Sequence, residues 1–365
     1  MTADGIRVLL DCRMADWTGV GRYTVSIARA LARRDDIELT QIVMAGGEPP
    51  APEARVVMAA SNILSIAGAR EFARIVHDVA PDVTHAAQYP IPLPARHPLV
   101  VMLHDLIPIR ISGSMPSAVK RSIYVALNRR AVRRADRIVV NSEATKADIV
   151  HLLGAPPAKI TPIPLAADDF ADGRIGVVPA RVESPYILCV SNTKSHKDVA
   201  TLIAAFTTFA VDHADHSLVL VGVTDPAFIV AHANDSAIRA RIVPLGRLDD
   251  PTLRALYAGC ECFAFPSLYE GFGLPPLEAM HFGAPVVCST AASLPEVTGE
   301  AALLFEPGDA ATLAAHLTHI ADDPAERARL SSASRARAME FSWDRTAAET
   351  VAVYRDVLEL DRSRR

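Results

Sequence analysis

Residues 263–307 read FAFPSLYEGFGLPPLEAMHFGAPVVCSTAASLPEVTGEAALLFEP. The run Cys262–Pro266 is apolar and suits a buried strand. The loop Ser267–Leu274 follows, with glycines at Gly271 and Gly273. Pro275 and Pro276 then open a helix, where proline costs little because first-turn amides have no helical partner. Pro285–Cys288 supplies the next apolar strand. A strand–glycine loop–helix–strand unit sets its loop at the carboxyl end of a strand, the edge at which open α/β sheets bind ligands. The helix amino end favours an anion there, and a diphosphate fits.

Two carboxylates bracket this unit. Glu270 precedes the first glycine, and Glu278 lies about one turn inside the helix. A carboxylate facing a phosphate would repel it, so both are better used as acceptors for sugar hydroxyls, one for a ribose and one for a hexose. The plainer alternative makes Glu270 a solvated loop residue and Glu278 a complement to the helix dipole.

The strings FPSLYEGFGLPPLEAMHFGAPVV and SLPEVTGEAALLFEP resemble the signature of the retaining glycosyltransferases of family 4, with their glutamate–seven residues–glutamate motif at Glu270 and Glu278. The resemblance implies an α/β chain of GT-B architecture, with two Rossmann-like parallel-sheet domains facing across a cleft. It places an acceptor domain at 1–170, a linker at 171–184, a nucleotide-sugar domain at 185–341 and, at 342–365, a helix crossing back to the first domain.

Composition narrows the function classes. The 365 residues are 50% hydrophobic, 5% aromatic and carry a net charge of −5. That balance argues against a general nucleic-acid binder, which needs a basic face. Five scattered cysteines, at 12, 189, 260, 262 and 288, suggest buried thiols in a reducing compartment. Cys260 and Cys262 lack a second pair to complete a zinc site. The start, MTADGIRVLL, reads as a first strand rather than a secretory leader, and no apolar run approaches the ~20 residues of a membrane span. The expectation is a cytoplasmic protein, with contact at the inner face of the membrane as an open addition.

Along the first domain, Ile6–Leu10 reads as a strand, Asp11–Arg22 as a loop with Gly19 and Gly21, and Tyr23–Arg34 as a helix. Arg22 is open between a phosphate or acceptor contact and a first-turn surface position. The resemblance directs this loop toward the donor phosphates and acceptor. Strands are expected at Val83–Ala86 and Leu99–Leu103; the second delivers His104 and Asp105 to the ligand edge. The segment LHDLIP resembles that in which family members use the histidine on a donor-sugar hydroxyl. Asp105 either orients that ring or caps the next turn. Val119–Arg137 is helical and basic, and arginines four apart repel along one face. Arg129, Arg130, Arg133 and Arg134 either meet an anionic membrane carrying a lipid-linked acceptor or pair with acids unseen in sequence. A strand at Arg137–Val140, a helix starting at 141–143, a strand at Lys159–Leu165 and an aperiodic linker region at Ala166–Ser184 follow.

The second domain opens with a strand, Tyr186–Val190, a loop, Ser191–Asp198, and a helix, Val199–Val211. Lys194 and Lys197 near a helix amino end oppose its dipole unless an anion intervenes, a physical hint of phosphate. Lys197 matches the second of the family's basic pair; Ser191 and Asn192 stand where the first is usually an arginine, leaving Lys194 or Arg22 as substitutes. The strands Leu218–Val221 and Ile242–Leu245 precede Gly246-Arg247-Leu248. The resemblance places the base near Arg247, a surface role being the alternative. Helices are expected at Asp250–Gly259, Ala310–Phe341 and Asp344–Leu358, with Trp343 as a packing anchor.

The implied activity is retaining transfer of a hexose to an α-linkage on a polysaccharide or lipid-linked oligosaccharide. The donor is a nucleotide sugar: GDP-mannose, because the loop Ser195-His196-Lys197 resembles that of a subgroup rich in bacterial polysaccharide mannosyltransferases, with Asp198 in place of its asparagine, or a UDP-sugar such as UDP-glucose. The catalytic candidates are His104, Lys197 and Glu270. The donor-binding candidates are Gly19, Gly21, Arg22, Lys194, Arg247, Gly271, Phe272, Gly273, Leu274 and Glu278. No D-x-D occurs, so no metal or other cofactor is expected. A sugar-nucleotide epimerase or isomerase of the same architecture and an inactive binding module are the alternatives. Gly19-Val20-Gly21 lacks the third glycine of a dinucleotide fingerprint, which argues against a dehydrogenase.

Overall fold

The computed structural model describes residues 5–63, 65–88, 97–111, 114–115 and 117–364. They form two compact units, one running through Leu165 and resuming at Trp343, the other Ala166–Ser342. Each is built on one wholly parallel sheet.

In the first unit the strands are β1 (Ile6–Asp11), β2 (Ile37–Met44), β3 (Arg55–Ala59), β4 (Val83–Ala86), β5 (Leu99–Leu103), β6 (Arg137–Val140) and β7 (Ile160–Pro162), in the order β3-β2-β1-β4-β5-β6-β7. The order reverses between β1 and β4, which opens a crevice at their carboxyl ends. The central strands are apolar on both faces because helices cover both; Leu99–Leu103 is buried throughout. The first helix begins at Thr18, five residues before the expected Tyr23. Gly21 is the reason. Its amide already donates to the Trp17 carbonyl, 2.8 Å away, and a Cβ there would lie 2.1 Å from the Ala15 carbonyl oxygen. Only glycine lets the chain turn so tightly into the helix. Gly19 and Gly21 therefore belong to the helix's first turns, not to a loop.

The basic helix is Ala118–Arg134, ending three residues before the expected Arg137, which opens β6 instead. The expected strand at Lys159–Leu165 keeps only Ile160–Pro162, because Pro162 and Pro164 cannot donate to a ladder. The C-terminal helix Trp343–Arg364 packs on the first unit through Trp343, Ala347, Val351, Tyr354 and Val357, all buried. Beneath it the Tyr354 hydroxyl lies 2.6 Å from His85 Nδ1, and the Tyr23 hydroxyl lies 3.3 Å from His85 Nε2.

In the second unit β8 (Tyr186–Val190), β9 (Ser217–Val221), β10 (Ile242–Gly246), β11 (Cys262–Phe265), β12 (Val286–Ser289) and β13 (Ala302–Phe305) take the order β10-β9-β8-β11-β12-β13. The switch point lies between β8 and β11. The expected helix Ala310–Phe341 is two, Ala310–Asp322 and Pro324–Ala338, because Pro324 cannot continue the first while Asp323 caps the second. The expected linker region holds a short helix, Asp168–Ala171, whose Phe170 is buried in this unit. Arg254 lies 4.8 Å over the Phe170 ring and donates to the Phe170 and Arg174 carbonyls.

Candidate active site

Chain direction in the second unit brings two loops to one place. β8 and β11 are hydrogen-bonded neighbours, so the loops leaving their carboxyl ends, Ser191–Asp198 and Pro266–Gly273, lie side by side at the switch point. They are laced together: the Leu268 amide donates to the His196 carbonyl at 2.8 Å. The first loop is shaped by Asn192, whose Oδ1 accepts the Lys194 amide, and by a 3₁₀ turn at Ser195–Lys197. Asp198, in the left-handed region at φ 46°, turns the chain into the helix Val199–Phe209.

Lys197 and Glu270 meet at this seam. The Lys197 Nζ donates to Glu270 Oε1 at 2.6 Å, with side-chain exposures of 18% and 10%. Ser267 donates to the same oxygen at 2.6 Å. Among the described residues Oε2 accepts nothing further. The ammonium also lies 5.5 Å from the Phe265 ring centroid. One oxygen of Glu270 thus holds both the lysine and the Ser267 hydroxyl, and the other is open.

The glycine loop is held from behind. The Ser293 hydroxyl, fully buried, lies 3.0 Å from the Glu270 carbonyl and 2.7 Å from the Phe272 carbonyl. Tying those carbonyls back turns the intervening amides the other way. The amides of Phe272, Gly273 and Leu274 have no partner among the described residues. Gly273, at φ 115°, allows the turn into the helix Leu274–His281. Pro275 and Pro276 carry no N–H, so the open donors at this helix start are the loop amides of Phe272 and Gly273 and that of the first helical residue, Leu274. Phe272 contributes its backbone; its ring is buried edge-on against Phe341 at 6.1 Å.

Glu278 is buried one turn into that helix, and its Oε2 accepts the Tyr257 hydroxyl at 2.9 Å. Lys194 and Arg247 are exposed, with no side-chain partner among the described residues. Arg247 follows a stapled corner, where Gly222 donates to the Gly246 carbonyl at 2.7 Å.

On the first unit, His104 is buried at the end of β5. Its Nε2 lies 3.0 Å from the Ala87 carbonyl, so that nitrogen carries the proton, and the Tyr23 ring stands edge-on at 5.0 Å. Burial lowers its pKa to about 4, leaving the imidazole neutral at pH 7. Asp105 caps: its Oδ1 accepts the Ile107 amide at 2.9 Å. Gly19 is exposed, with no atom within 4 Å of where a Cβ would sit, and Arg22 is half-buried. The five cysteines are buried and free; burial pushes the Cys189, Cys260 and Cys288 thiols to about 12, so none is a nucleophile at neutral pH.

Sequence reasoning did not single out Ser267, Ser293 or Tyr257. Their contacts are hydroxyl-to-carbonyl or hydroxyl-to-carboxylate bonds that leave no periodic trace. The one signal in the sequence is the nearness of Ser267 to Glu270, three residues on.

Comparison with known proteins agrees with this arrangement. Residues 17–169 match the model of Glycosyltransferase Family 4, and residues 175–337 match that of Glycosyl transferases group 1. An α-(1→4)-mannosyltransferase of Mycolicibacterium hassiacum is 36% identical over 240 residues, 63% of this chain and 56% of its own length. This chain therefore aligns with little more than half of that enzyme. The O-antigen chain mannosyltransferase B of Escherichia coli is 26% identical over 370 residues, covering 93% of this chain and 96% of that one. The Anabaena protein HepE, solved in complex with UDP and glucose, shares the fold, with a TM-score of 0.69 at 20% identity over 95% of this chain and 99% of the other. Two Rossmann-like parallel-sheet units with the glutamate motif at a switch point, matched in both halves, place the chain in glycosyltransferase family 4, a transferase enzyme of the GT-B fold.

Proposed function

We propose that this enzyme is a retaining hexosyltransferase that moves mannose from GDP-mannose to a polysaccharide or lipid-linked oligosaccharide, forming an α-linkage. The observation that carries the reading is the Lys197–Glu270 pair beside three amides without a partner among the described residues, at the β8/β11 switch point. Lysine and amides suit the two phosphates, the open oxygen of Glu270 suits a sugar hydroxyl, and Glu278 suits the ribose. Lys194, Arg22 and Gly19 are assigned supporting phosphate contacts, and Arg247 the base. To His104 we assign a hydrogen bond to a sugar hydroxyl through its unprotonated Nδ1. In the transfer, the bond from the sugar's anomeric carbon to the phosphate oxygen breaks. A bond to the acceptor oxygen forms on the same face, and the acceptor's proton passes to the departing phosphate. Lys197 and the loop amides stabilise the charge that builds there. No side chain need act as base, and the charge is met without a metal.

The mannosyltransferase relatives favour mannose; the UDP-bound neighbour keeps UDP-sugars as the second reading. The membrane face of the reading rests on the helix Ala118–Arg134. Arg129, Arg130 and Arg133 are exposed there with no partner among the described residues, beside exposed Val119 and Ile123. No helix among the described residues is long and apolar enough to cross a membrane. We place the enzyme at the cytoplasmic face, bound peripherally.

The test is thermal stabilisation by GDP, UDP, ADP and their mannose and glucose conjugates, with EDTA present. A ligand at about 100 times its Kd adds about 2.7 kcal/mol to the folded state. Selective stabilisation by GDP and GDP-mannose is expected. A response to none of them removes the nucleotide-sugar reading. Product formed from donor alone makes the enzyme an epimerase instead.

A further inference from the structure

We infer that Tyr257 is a positioning residue for nucleoside recognition: its hydroxyl fixes the carboxylate of Glu278 in the orientation that reads the 2′-hydroxyl of the donor's ribose. The inference rests on the assignment of Glu278 to the ribose made above.

Tyr257 is fully buried near the end of the helix Asp250–Gly259. Its ring sits in an aromatic box. Phe282 is parallel to it at 6.1 Å, Phe170 is edge-on at 6.1 Å, and Phe263 is tilted at 5.5 Å. These contacts come from the helix end after Glu278, from the short helix at the start of the unit and from β11. They set the ring's position without help from its hydroxyl. A phenylalanine would fill the same box, so packing does not explain the oxygen. A buried tyrosine hydroxyl needs a partner, and here it donates to Glu278 Oε2 at 2.9 Å. Glu278 is itself only 4% exposed, so its charge needs donors as well.

The consequence is geometric. A glutamate has three side-chain torsions, and a carboxylate free to rotate must be ordered by the ligand on each binding event. The rigid ring holds the Tyr257 hydroxyl still, and the hydroxyl holds Oε2. The carboxylate plane is thereby set before a ribose arrives. A site preset to hydrogen-bond a hydroxyl rejects the analogue that lacks it. Tyr257 touches no ligand in this account and acts only through Glu278.

The experiment measures dissociation constants for GDP against 2′-deoxy-GDP, and UDP against 2′-deoxyuridine diphosphate, in the wild type, Tyr257→Phe, Glu278→Gln and the double variant. The wild type should prefer the ribonucleotide by at least roughly tenfold, the scale of a hydrogen bond to a charged group. Tyr257→Phe should bring that ratio to within about twofold, with kcat at saturating donor changed less than about threefold, as expected when ground state and transition state lose the same contact. The double variant should discriminate no worse than Glu278→Gln, because both changes break one unit. An unchanged ribose preference in Tyr257→Phe overturns the inference, even if the protein melts earlier. Losses of discrimination that add in the double variant overturn it too. A wild type that binds the nucleotides but ignores the 2′-hydroxyl removes Glu278 from the ribose, and Tyr257 with it.

Discussion

The Lys197 ammonium already has a partner before any phosphate arrives. Its contact with Glu270 Oε1 at 2.6 Å makes the two residues a coupled pair, so a substitution at either one changes both. With 18% and 10% of the side chains exposed, removing the lysine leaves a largely desolvated carboxylate, which costs stability as well as function. Lys197→Ala is therefore expected to lower turnover by at least ~10²-fold, the scale of losing a charge-stabilising group, and to lower the melting temperature. Adding Glu270→Gln should restore much of the melting temperature and none of the turnover. Turnover that recovers in the double variant would mean that the lysine serves only to neutralise Glu270. Each residue of the pair was legible on its own: Glu270 from the glutamate spacing, Lys197 from a positive charge at the wrong end of a helix. Their contact was not. It spans 73 positions and depends on which strands are neighbours. Ser293 was illegible for a like reason, since its hydroxyl acts on carbonyls that any residues would present.

Among the elements, the strands buried on both faces could be read directly. Leu99–Leu103 and Tyr186–Val190 fall at their expected residues because continuous apolar runs have one use in a parallel sheet. β2 could not be read so. Thr40 and Gln41 interrupt it, and Gln41 is tolerated inside only because its amide pairs with the Ala51 backbone. The helix Ala118–Arg134 shows the opposite case. Its charge was plain, but whether those charges were paired depended on the fold. Tyr124, Asn128, Ala131 and Val132 form its buried stripe, and Lys120, Arg129, Arg130 and Arg133 stand exposed on the rest. If that face meets anionic lipid, each arginine adds about 1 kcal/mol. The triple change Arg129→Glu, Arg130→Glu and Arg133→Glu should then weaken co-sedimentation with phosphatidylglycerol vesicles by at least ~10²-fold. Binding of the wild type should fall steeply with salt, and transfer to a soluble acceptor should be unchanged. Equal sedimentation of both proteins would return the helix to a solvated surface.

At the scale of the whole molecule, the two units answer acid to different extents, and the difference follows from the histidines each one buries. Burial lowers His85 to about 3 and His104 to about 4, both in the first unit. Unfolded, each titrates near ~6.5. Between those values the unfolded chain binds more protons than the folded one, so stability rises with pH. Their contribution is whole above pH ~6.5 and is lost as pH falls, over the range down to about 4 for His104 and about 3 for His85. Within that window each costs about 1.4 kcal/mol per pH unit. The second unit carries terms of both signs: burial lowers His196 and His281, and His213 goes the other way. Desolvation opposes protonation of His213, but the Phe209 carbonyl and the Asp322 carboxylate outweigh it and raise its pKa. That contribution is present at low pH and is lost only as pH rises through the folded value. The two largest downward shifts, at His85 and His104, lie in the first unit, which should therefore unfold earlier on acidification. The molecule carries its own reporter: of 365 residues only Trp17 and Trp343 are tryptophans, and both belong to the first unit. Trp343 is buried against Tyr23, so its emission should shift red when that unit opens. Denaturant unfolding followed by tryptophan emission should give a stability that falls steadily from pH 6.5 to 4.5, ahead of the loss of far-ultraviolet helical signal. His104→Asn should reduce that slope by about one proton's worth. Coincident transitions at every pH, with a slope unmoved by the substitution, would show that neither histidine is held neutral by the fold.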